Sequence, residues 1–459
     1  MTDAATPKIL IVDLLGLAPG PDGTPDASAV RAHVQARGGV FVDGSARQAP
    51  APAAGKPHFY YCPMLSTEAE LLTEAGDGLY DAVIAAATFL PAGARFDRGG
   101  VRIGAGTGNM GSASWGGGDG KGGVAPLMNT PGINARATAQ MVMKALLRQC
   151  PDLPVEEMHA LVAAGNFDTG RDLVRFPTAK LEGRTFAVIG YGNIGREVAK
   201  LARAFGMQVR IHARPRHRDW IESEGFAYAA TPVEAARGAH ALSVHVGLGP
   251  KGPQGFANAG LVGAEVLAAL APGAILLNYD RGELVDVPAL SAALATGQVS
   301  HAAIDADLFR DATTGALSGP MLPYLSLLPE HAAKLSLLPH AAADTDHPTR
   351  VAGAKQAVDQ ILSVLQDGVV RNLKGDLPDG LRDGGPLRPA GLGSVSPAEL
   401  LALRAEGLDH LRRLTADLAT ALEALAGEQG AGAGASLLLA ANRLSTALRK
   451  AGLEGRFEG

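Results

Sequence analysis

The 459-residue sequence predicts an α/β protein with two doubly wound parallel-sheet domains and a C-terminal helical hairpin. Three observations carry this expectation. Strand-like apolar runs alternate with helix-length amphipathic segments in two successive series. A glycine motif in the second series stands between a strand and a helix. A stretch rich in Gly and Pro then separates both series from a leucine-rich helical tail.

The first series opens at Lys8 with ILIVDLLG, continues through the amphipathic ASAVRAHVQARGG, and alternates on through FYYC, TEAELLTEAG, DAVIAAA and VRIGAG. ARQAPAPAAGKP near residue 50 and SWGGGDGKGG at 114–123 read as exposed loops. From Asn134 the helical segment NARATAQMVMKALLRQ leaves this unit, and a second strand-helix series runs from Leu181 to Pro339. RVAGAKQAVDQILSVLQ, near Thr349, returns as a helix. These boundaries assign 1–133, completed by 341–374, to the first domain and 134–340 to the second with its linking helix. Residues 375–393 (GDLPDGLRDGGPLRPAGLG) read as a linker and 394–459 as the hairpin. Ser396-Pro397-Ala398-Glu399 supplies an N-cap, a proline at the first helical position and a capping-box glutamate for its first helix. Helical spacing spans Leu400 to Leu425 and again about Ala435 to Leu453.

A formal net charge of -5 offers no basic field for nucleic acid or for a membrane surface. The two cysteines, Cys62 and Cys150, lack metal-ligand spacing, so neither a metal nor a disulfide framework is expected, and both read as buried, inert thiols. MTDAATPKILIVD lacks a basic region followed by an apolar one, and no apolar run reaches membrane-spanning length. The expectation is a cytoplasmic protein.

Two copies of the pattern G-x-G-x-x-G are candidates for a ligand-binding turn. The first copy, Gly106-Thr107-Gly108-Asn109-Met110-Gly111, follows a strand but runs into SASWGGGDGKGG, which is ill suited to a phosphate-binding helix. Its backbone N–H groups could grip a carboxylate, so Gly106, Thr107 and Gly108 are candidate substrate contacts, with a plain turn as the alternative. The second copy is Gly190-Tyr191-Gly192-Asn193-Ile194-Gly195, between the strand FAVI and the helix REVAKLARAF. That is the Rossmann setting for a dinucleotide, assigning Gly190, Gly192, Asn193, Ile194 and Gly195 to the cofactor. Where an NAD-binding fold places an acid on the ribose, about 18 residues on, the strand MQVRIHA delivers Arg214 and Arg216. Guanidinium groups suit a 2'-phosphate, so NADP(H) is expected over NAD(H). A solvated basic loop is the alternative, since His217 and Arg218 extend the run.

Arg281 follows the strand AILLN, and His340 follows LSLLP, where Pro339 ends the ladder. Each alone could be a surface ion pair or a satisfied loop histidine. Together with a hydride donor they form a sufficient set for reducing a 2-keto acid, the arginine holding the carboxylate and the histidine supplying the proton.

IGAGTGN, MNTPGINARATAQ, LEGRTFAVIGYGNIGREVAKLARAFGM, LLNYDRGELVDVPALSAAL, HAAID and LLPHAAA together resemble the D-isomer-specific 2-hydroxyacid dehydrogenase family over roughly residues 80 to 370. The resemblance implies a flavodoxin-like substrate domain beside the Rossmann cofactor domain, with the active site between them. It further implies that Arg281 binds substrate, His340 is the acid/base, Asp305 contacts the nicotinamide carboxamide, and the assembly is a homodimer. Three departures stand out. The glutamate that pairs with the histidine in that family should lie five residues after Asp305, where this chain has Arg310; Asp307 and Asp311 are the nearby carboxylates, and Asp311 is taken as the partner. The glutamate of the linking helix is Gln140, and SWGGGDGKGG and the tail fall outside the pattern. The expected activity is hydride transfer between NADP(H) and a small 2-hydroxy or 2-keto acid. The alternatives are a formate- or phosphite-type dehydrogenase and a non-enzymatic dinucleotide-sensing corepressor, the latter motivated by the irregular carboxylate and the hairpin.

Overall fold

The computed structural model describes residues 6–21, 23–49, 55–149, 154–176, 180–249, 251–252, 255–310, 314–340, 346–387, 405–426 and 430–450. The chain forms two compact units, Met1–Pro386 and Leu387–Gly459.

The first unit holds two sheets of seven strands each. One contains β1 (Lys8–Ile11), β2 (Val40–Asp43), β3 (His58–Tyr61), β4 (Ala82–Ala85), β5 (Gly99–Arg102) and β6 (Leu127–Asn129). Alternation along β1 explains its unbroken apolar run. Ile9 and Ile11 enter a core with Val101 and Met128, whereas Leu10 joins Tyr60, Phe96 and Trp115 on the other face. The strand order about β1 is β2-β3-β1-β4-β5-β6, and leaving out the edge strand β2 gives the flavodoxin-like arrangement.

The second sheet is parallel throughout, in the order β13-β12-β11-β10-β7-β8-β9. Its members are β7 (Thr185–Ile189), β8 (Gln208–His212), β9 (Ala227–Ala229), β10 (Ala241–Val244), β11 (Ala274–Asn278), β12 (Val299–Ala306) and β13 (Leu335–Pro339). The order reverses between β7 and β10, and a crevice opens at the carboxyl ends of the strands at such a reversal. Helix α1 (Ala135–Gln149) buries Ala139, Val142 and Leu146 against this sheet beside Val198 and Ala202 of α2 (Asn193–Ala204). The later helix α3 (His347–Asp367) turns back to the first sheet, burying Val351, Ala354, Val358 and Ile361 there, and β14 (Leu373–Lys374) closes that sheet antiparallel to β6.

Two segments differ from their expected loop character. Within 114–123, Trp115 is fully buried, stacks on Phe96 and donates its Nε1–H to the Met110 carbonyl at 2.8 Å. The glycines after it let the chain fold tightly against its surroundings; at Gly118 a Cβ would lie 2.6 Å from the Thr107 carbonyl. The start of the expected linker is likewise built onto the body. Asp376 donates its backbone N–H to the Gly120 carbonyl at 2.8 Å, and Arg382–Asp383 pair with Val369–Val370.

The second unit contains α4 (Ala405–Ala426) and α5 (Gly430–Lys450), whose Leu414, Ala421 and Ala440 are buried. The Ser396-Pro397 helix start lies outside the described residues. The second helix begins earlier than expected, because GAGAGA is helical rather than a loop. No described helix is long and apolar enough to cross a membrane.

Both sheets draw their cores from residues before Pro386. A chain ending at Pro386 is therefore expected to fold with a cooperative thermal transition and to retain NADPH binding, measured by fluorescence titration. Loss of binding by a folded product would place the hairpin in the site.

Candidate active site

The second glycine motif lies at the sheet's reversal point. Gly190 leaves β7 at a φ of +103°, and a Cβ there would collide with the His245 carbonyl beyond β10; one at Gly195 would collide with the Gly190 carbonyl. These two glycines bring strand, turn and helix together. Gly192 differs, since a Cβ on it would meet nothing within 4 Å. It is the N-cap of α2 and places no side chain over the first turn, so the turn presents open space and unclaimed N–H groups suited to a pyrophosphate. Asn193 and Ile194 form that first turn. His245 is buried beneath it, and burial pushes its imidazole down to about 3, so it is a neutral neighbour to an anion.

The register of β7 against β8 sets Ile189 opposite His212, so Arg214 and Arg216 emerge just beyond the level of the glycine turn. Both are exposed, at a 3-10 turn, Pro215–His217. Among the described residues neither is held by a carboxylate, whereas Arg218 is paired with Glu222 at 2.9 Å. They are free to meet a phosphate.

Across the crevice, Arg281 follows β11 and is fixed through its backbone. Asn278 donates to the Arg281 carbonyl at 2.8 Å, and the Tyr324 hydroxyl donates to the Gly282 carbonyl at 2.5 Å. Gly282 is needed because a Cβ there would lie 2.9 Å from Ala306 Cβ. The histidine is fixed by strand register. β12 and β13 pair Asp305 with Leu338 and Ala306 with Pro339, and His340 extends the ladder by donating its N–H to the Ala306 carbonyl at 3.0 Å. Its Nδ1 then lies 2.7 Å from Asp305 Oδ1, with Asp305 almost wholly buried. A carboxylate accepting from Nδ1–H leaves Nε2 to exchange a proton.

Arg281, Asp305 and His340 line one open cleft with Ile194 of the glycine turn and Gly106 from the other sheet. Gly106 stands where a Cβ would collide with Arg281 Nη2, so the first glycine motif makes room for the guanidinium. Thr107 does not line this cleft; its hydroxyl donates to the Gly118 carbonyl at 2.6 Å. Gly108 lies beside Gly118. Gln140 is exposed on α1.

The carboxylate sought for His340 is supplied by Asp305, the residue expected at the nicotinamide carboxamide. Asp311 lies outside the described residues, and among the described residues Asp305 is the carboxylate paired with His340. Arg310 is exposed in a two-residue antiparallel strand with Leu317. Sequence reasoning also passed over Asp280 and Arg102, both of which line the cleft. Asp280 was signalled by its place beside Arg281 at the strand end. Cys62, expected buried, is partly exposed, and burial with the Glu74 charge pushes its thiol up to about 12.

A doubly wound protein with a nucleotide-type turn facing an arginine and a carboxylate-bound histidine defines a class, the dinucleotide-linked oxidoreductases. Residues 141–317 match the family model for the D-isomer specific 2-hydroxyacid dehydrogenase NAD-binding domain. A glyoxylate reductase of Aeropyrum pernix is 31% identical over 53% of this chain and 68% of its own length. A D-3-phosphoglycerate dehydrogenase of Methanocaldococcus jannaschii is 26% identical over 60% of this chain, which spans about half (46%) of that relative. In fold, NAD+-bound 3-phosphoglycerate dehydrogenase of Entamoeba histolytica superposes with a TM-score of 0.56 at 16% identity, covering 81% of this chain and all (100%) of that one. The chain belongs to the D-isomer specific 2-hydroxyacid dehydrogenase family.

Gly190→Ala sets a Cβ against the His245 carbonyl and strains a left-handed turn. It is expected to lose dinucleotide affinity by tenfold or more in a fluorescence titration; an unchanged Kd would remove the turn from the site.

Proposed function

We propose that this protein reduces a small 2-keto acid to the D-2-hydroxy acid, or runs the reverse oxidation, with NADP(H) preferred over NAD(H). The observation that carries the reading is the convergence of Arg281, the Asp305–His340 pair and the glycine turn on one cleft. Family membership supports a nicotinamide dinucleotide and a 2-hydroxy acid as the substrate class. Gly190, Gly192, Asn193, Ile194 and Gly195 hold the dinucleotide, and Arg214 and Arg216 take the 2'-phosphate. When bound, the reduced nicotinamide supplies the hydride to C2.

The remaining work falls to the chain. Arg281 binds the substrate carboxylate and draws charge from the C2 carbonyl. His340 gives its Nε2 proton to the oxygen at C2 as that oxygen gains charge, and takes it back in the oxidative direction. Asp305 fixes the ring and stabilises the imidazolium. Gly106 lets Arg281 reach the substrate, with Thr107 and Gly108 shaping the loop behind it. The corepressor reading loses its first motive, because His340 does have a carboxylate partner. A homodimer is the assembly the resemblance implies, and sedimentation tests it.

A panel of 2-keto acids with NADPH, set beside formate and phosphite with NADP+, tests the reading. Turnover confined to formate or phosphite would reassign the enzyme. Within this reading, His340→Ala is expected to lose about 10²- to 10⁴-fold in kcat. Asp305→Asn is expected to lower kcat while leaving the NADPH Kd nearly unchanged, and a wild-type rate in either variant would remove the acid-base assignment. Replacing Arg214 and Arg216 together by Ser is expected to weaken NADPH by about 10- to 150-fold, the value of about 1.5 to 3 kcal/mol for a charge-assisted hydrogen bond, with little change for NADH. Equal losses for both dinucleotides would sink the phosphate assignment.

A further inference from the structure

Asp280 is a second carboxyl, beside Asp305, in a cleft that in the proposed function accepts an acid. It lines the same space as Arg281 and His340, and its carboxyl is within electrostatic reach of both and of Asp305. Its circumstances differ from those of Asp305, which is tied to His340 at 2.7 Å. Among the described residues, the Asp280 side chain makes no hydrogen bond and no ion pair within 4 Å, even with its neighbour Arg281. Arg281 likewise forms no ion pair with a protein carboxylate there. Among the described residues the cleft thus holds one guanidinium and one carboxyl with no hydrogen-bonded or ion-paired partner.

Consider what a substrate carboxylate meets on arriving at Arg281. If Asp280 is ionised, two like charges stand in one cleft, and the incoming acid is repelled. If Asp280 is neutral, the repulsion disappears and its O–H becomes a hydrogen-bond donor. We propose that Asp280 is a substrate-binding residue that works as a neutral carboxylic acid, donating its O–H to an oxygen of the 2-keto acid held by Arg281. Substrate binding then takes up a proton from solvent.

The charged groups facing it are Arg281 on its own segment, His340 and Asp305 from β13 and β12, and Arg102 from β5. Burial pushes the Asp280 carboxyl up to about 7 and the Asp305 charge adds to this, while Arg281 and His340 pull the other way. The sign follows. Below pH 7 the acid form predominates and binding costs no proton, whereas above it each substrate bound must bring a proton with it, so affinity falls as pH rises.

This inference rests on the proposed role of Arg281 as the carboxylate binder. The probe is glyoxylate, titrated calorimetrically into the full-length protein saturated with oxidised dinucleotide, so that the keto form cannot be reduced. Measurements at pH 8 in two buffers of different ionisation enthalpy give the proton uptake. Wild type is expected to take up about one proton more than Asp280→Asn, which keeps the size and a donor but cannot titrate. Between pH 7 and 9 the wild-type Kd is expected to rise by up to about tenfold per unit beyond any rise in the variant. Because Asp280 and His340 interact, the same comparison in a His340→Asn background assigns the difference to Asp280. Asp280→Ser serves the same comparison should Asp280→Asn fail to fold. Zero uptake by wild type, or equal uptake by wild type and variant, overturns the proposal while leaving the Arg281 reading intact. No glyoxylate binding by either protein removes that reading, and this inference with it.

Discussion

The shared parallel register of β11, β12 and β13 is the constraint on which the site depends. Asn278 faces Ile304, and Ala306 faces Pro339, so three strands end at nearly one level and hand Arg281, Asp305 and His340 to one edge. Because side chains alternate across a strand, a slip of one residue in β12 would turn Asp305 away from the imidazole and into the opposite core. Packing around the strand ends resists such a slip: Gly282 sits tight against Ala306, and Tyr324, fully buried, holds the Gly282 carbonyl. Chemistry at this edge is therefore a consequence of sheet pairing rather than of loop conformation.

The same register decides the electrostatics. Asp305 is almost fully buried, and an unpartnered charge in that position would be strongly destabilising. His340 offsets it at 2.7 Å while keeping a fifth of its own surface open to the cleft. The pair thus serves stability and, in the proposed function, proton transfer through one contact. Asp280 shows the contrast made by a single position in the strand-end turn: with no fixed partner among the described residues, its carboxyl is governed by burial and by the charges around it.

Much of this arrangement was legible in the sequence, and the limits are physical. The strands announced themselves because sheets covered on both faces demand continuous apolar runs such as Ala187-Val188-Ile189. Arg281 and His340 were legible as the residues following strands, and the glycine turn by its strand and helix neighbours. The resemblance put a carboxylate five residues after Asp305, where Arg310 stands, and Asp311, which lies outside the described residues, was taken in its place. Asp305 precedes His340 by 35 residues, and only the pairing of HAAIDA with LSLLP shows that they meet. Trp115 and the segment after Lys374 were misjudged for a related reason. A run of glycines reads as exposed, but it also permits the closest backbone approach, and here it admits Asp376 against Gly120.

The two glycine motifs show why spacing alone does not carry function. In both, a missing side chain lets something approach that a Cβ would exclude. At Gly190 the approaching group is a backbone carbonyl, and the gain is a compact strand-turn-helix whose first N–H groups point outward. At Gly106 it is the Arg281 guanidinium, and only a single 3-10 turn, Ala113–Trp115, follows, with no helix of useful length to gather N–H groups on an anion. The first motif therefore serves a cation, and the second is shaped for an anion. Set on opposite sides of one cleft, in the proposed function they divide the work of holding two negatively charged ligands: one is met by backbone dipoles, the other by a side-chain charge.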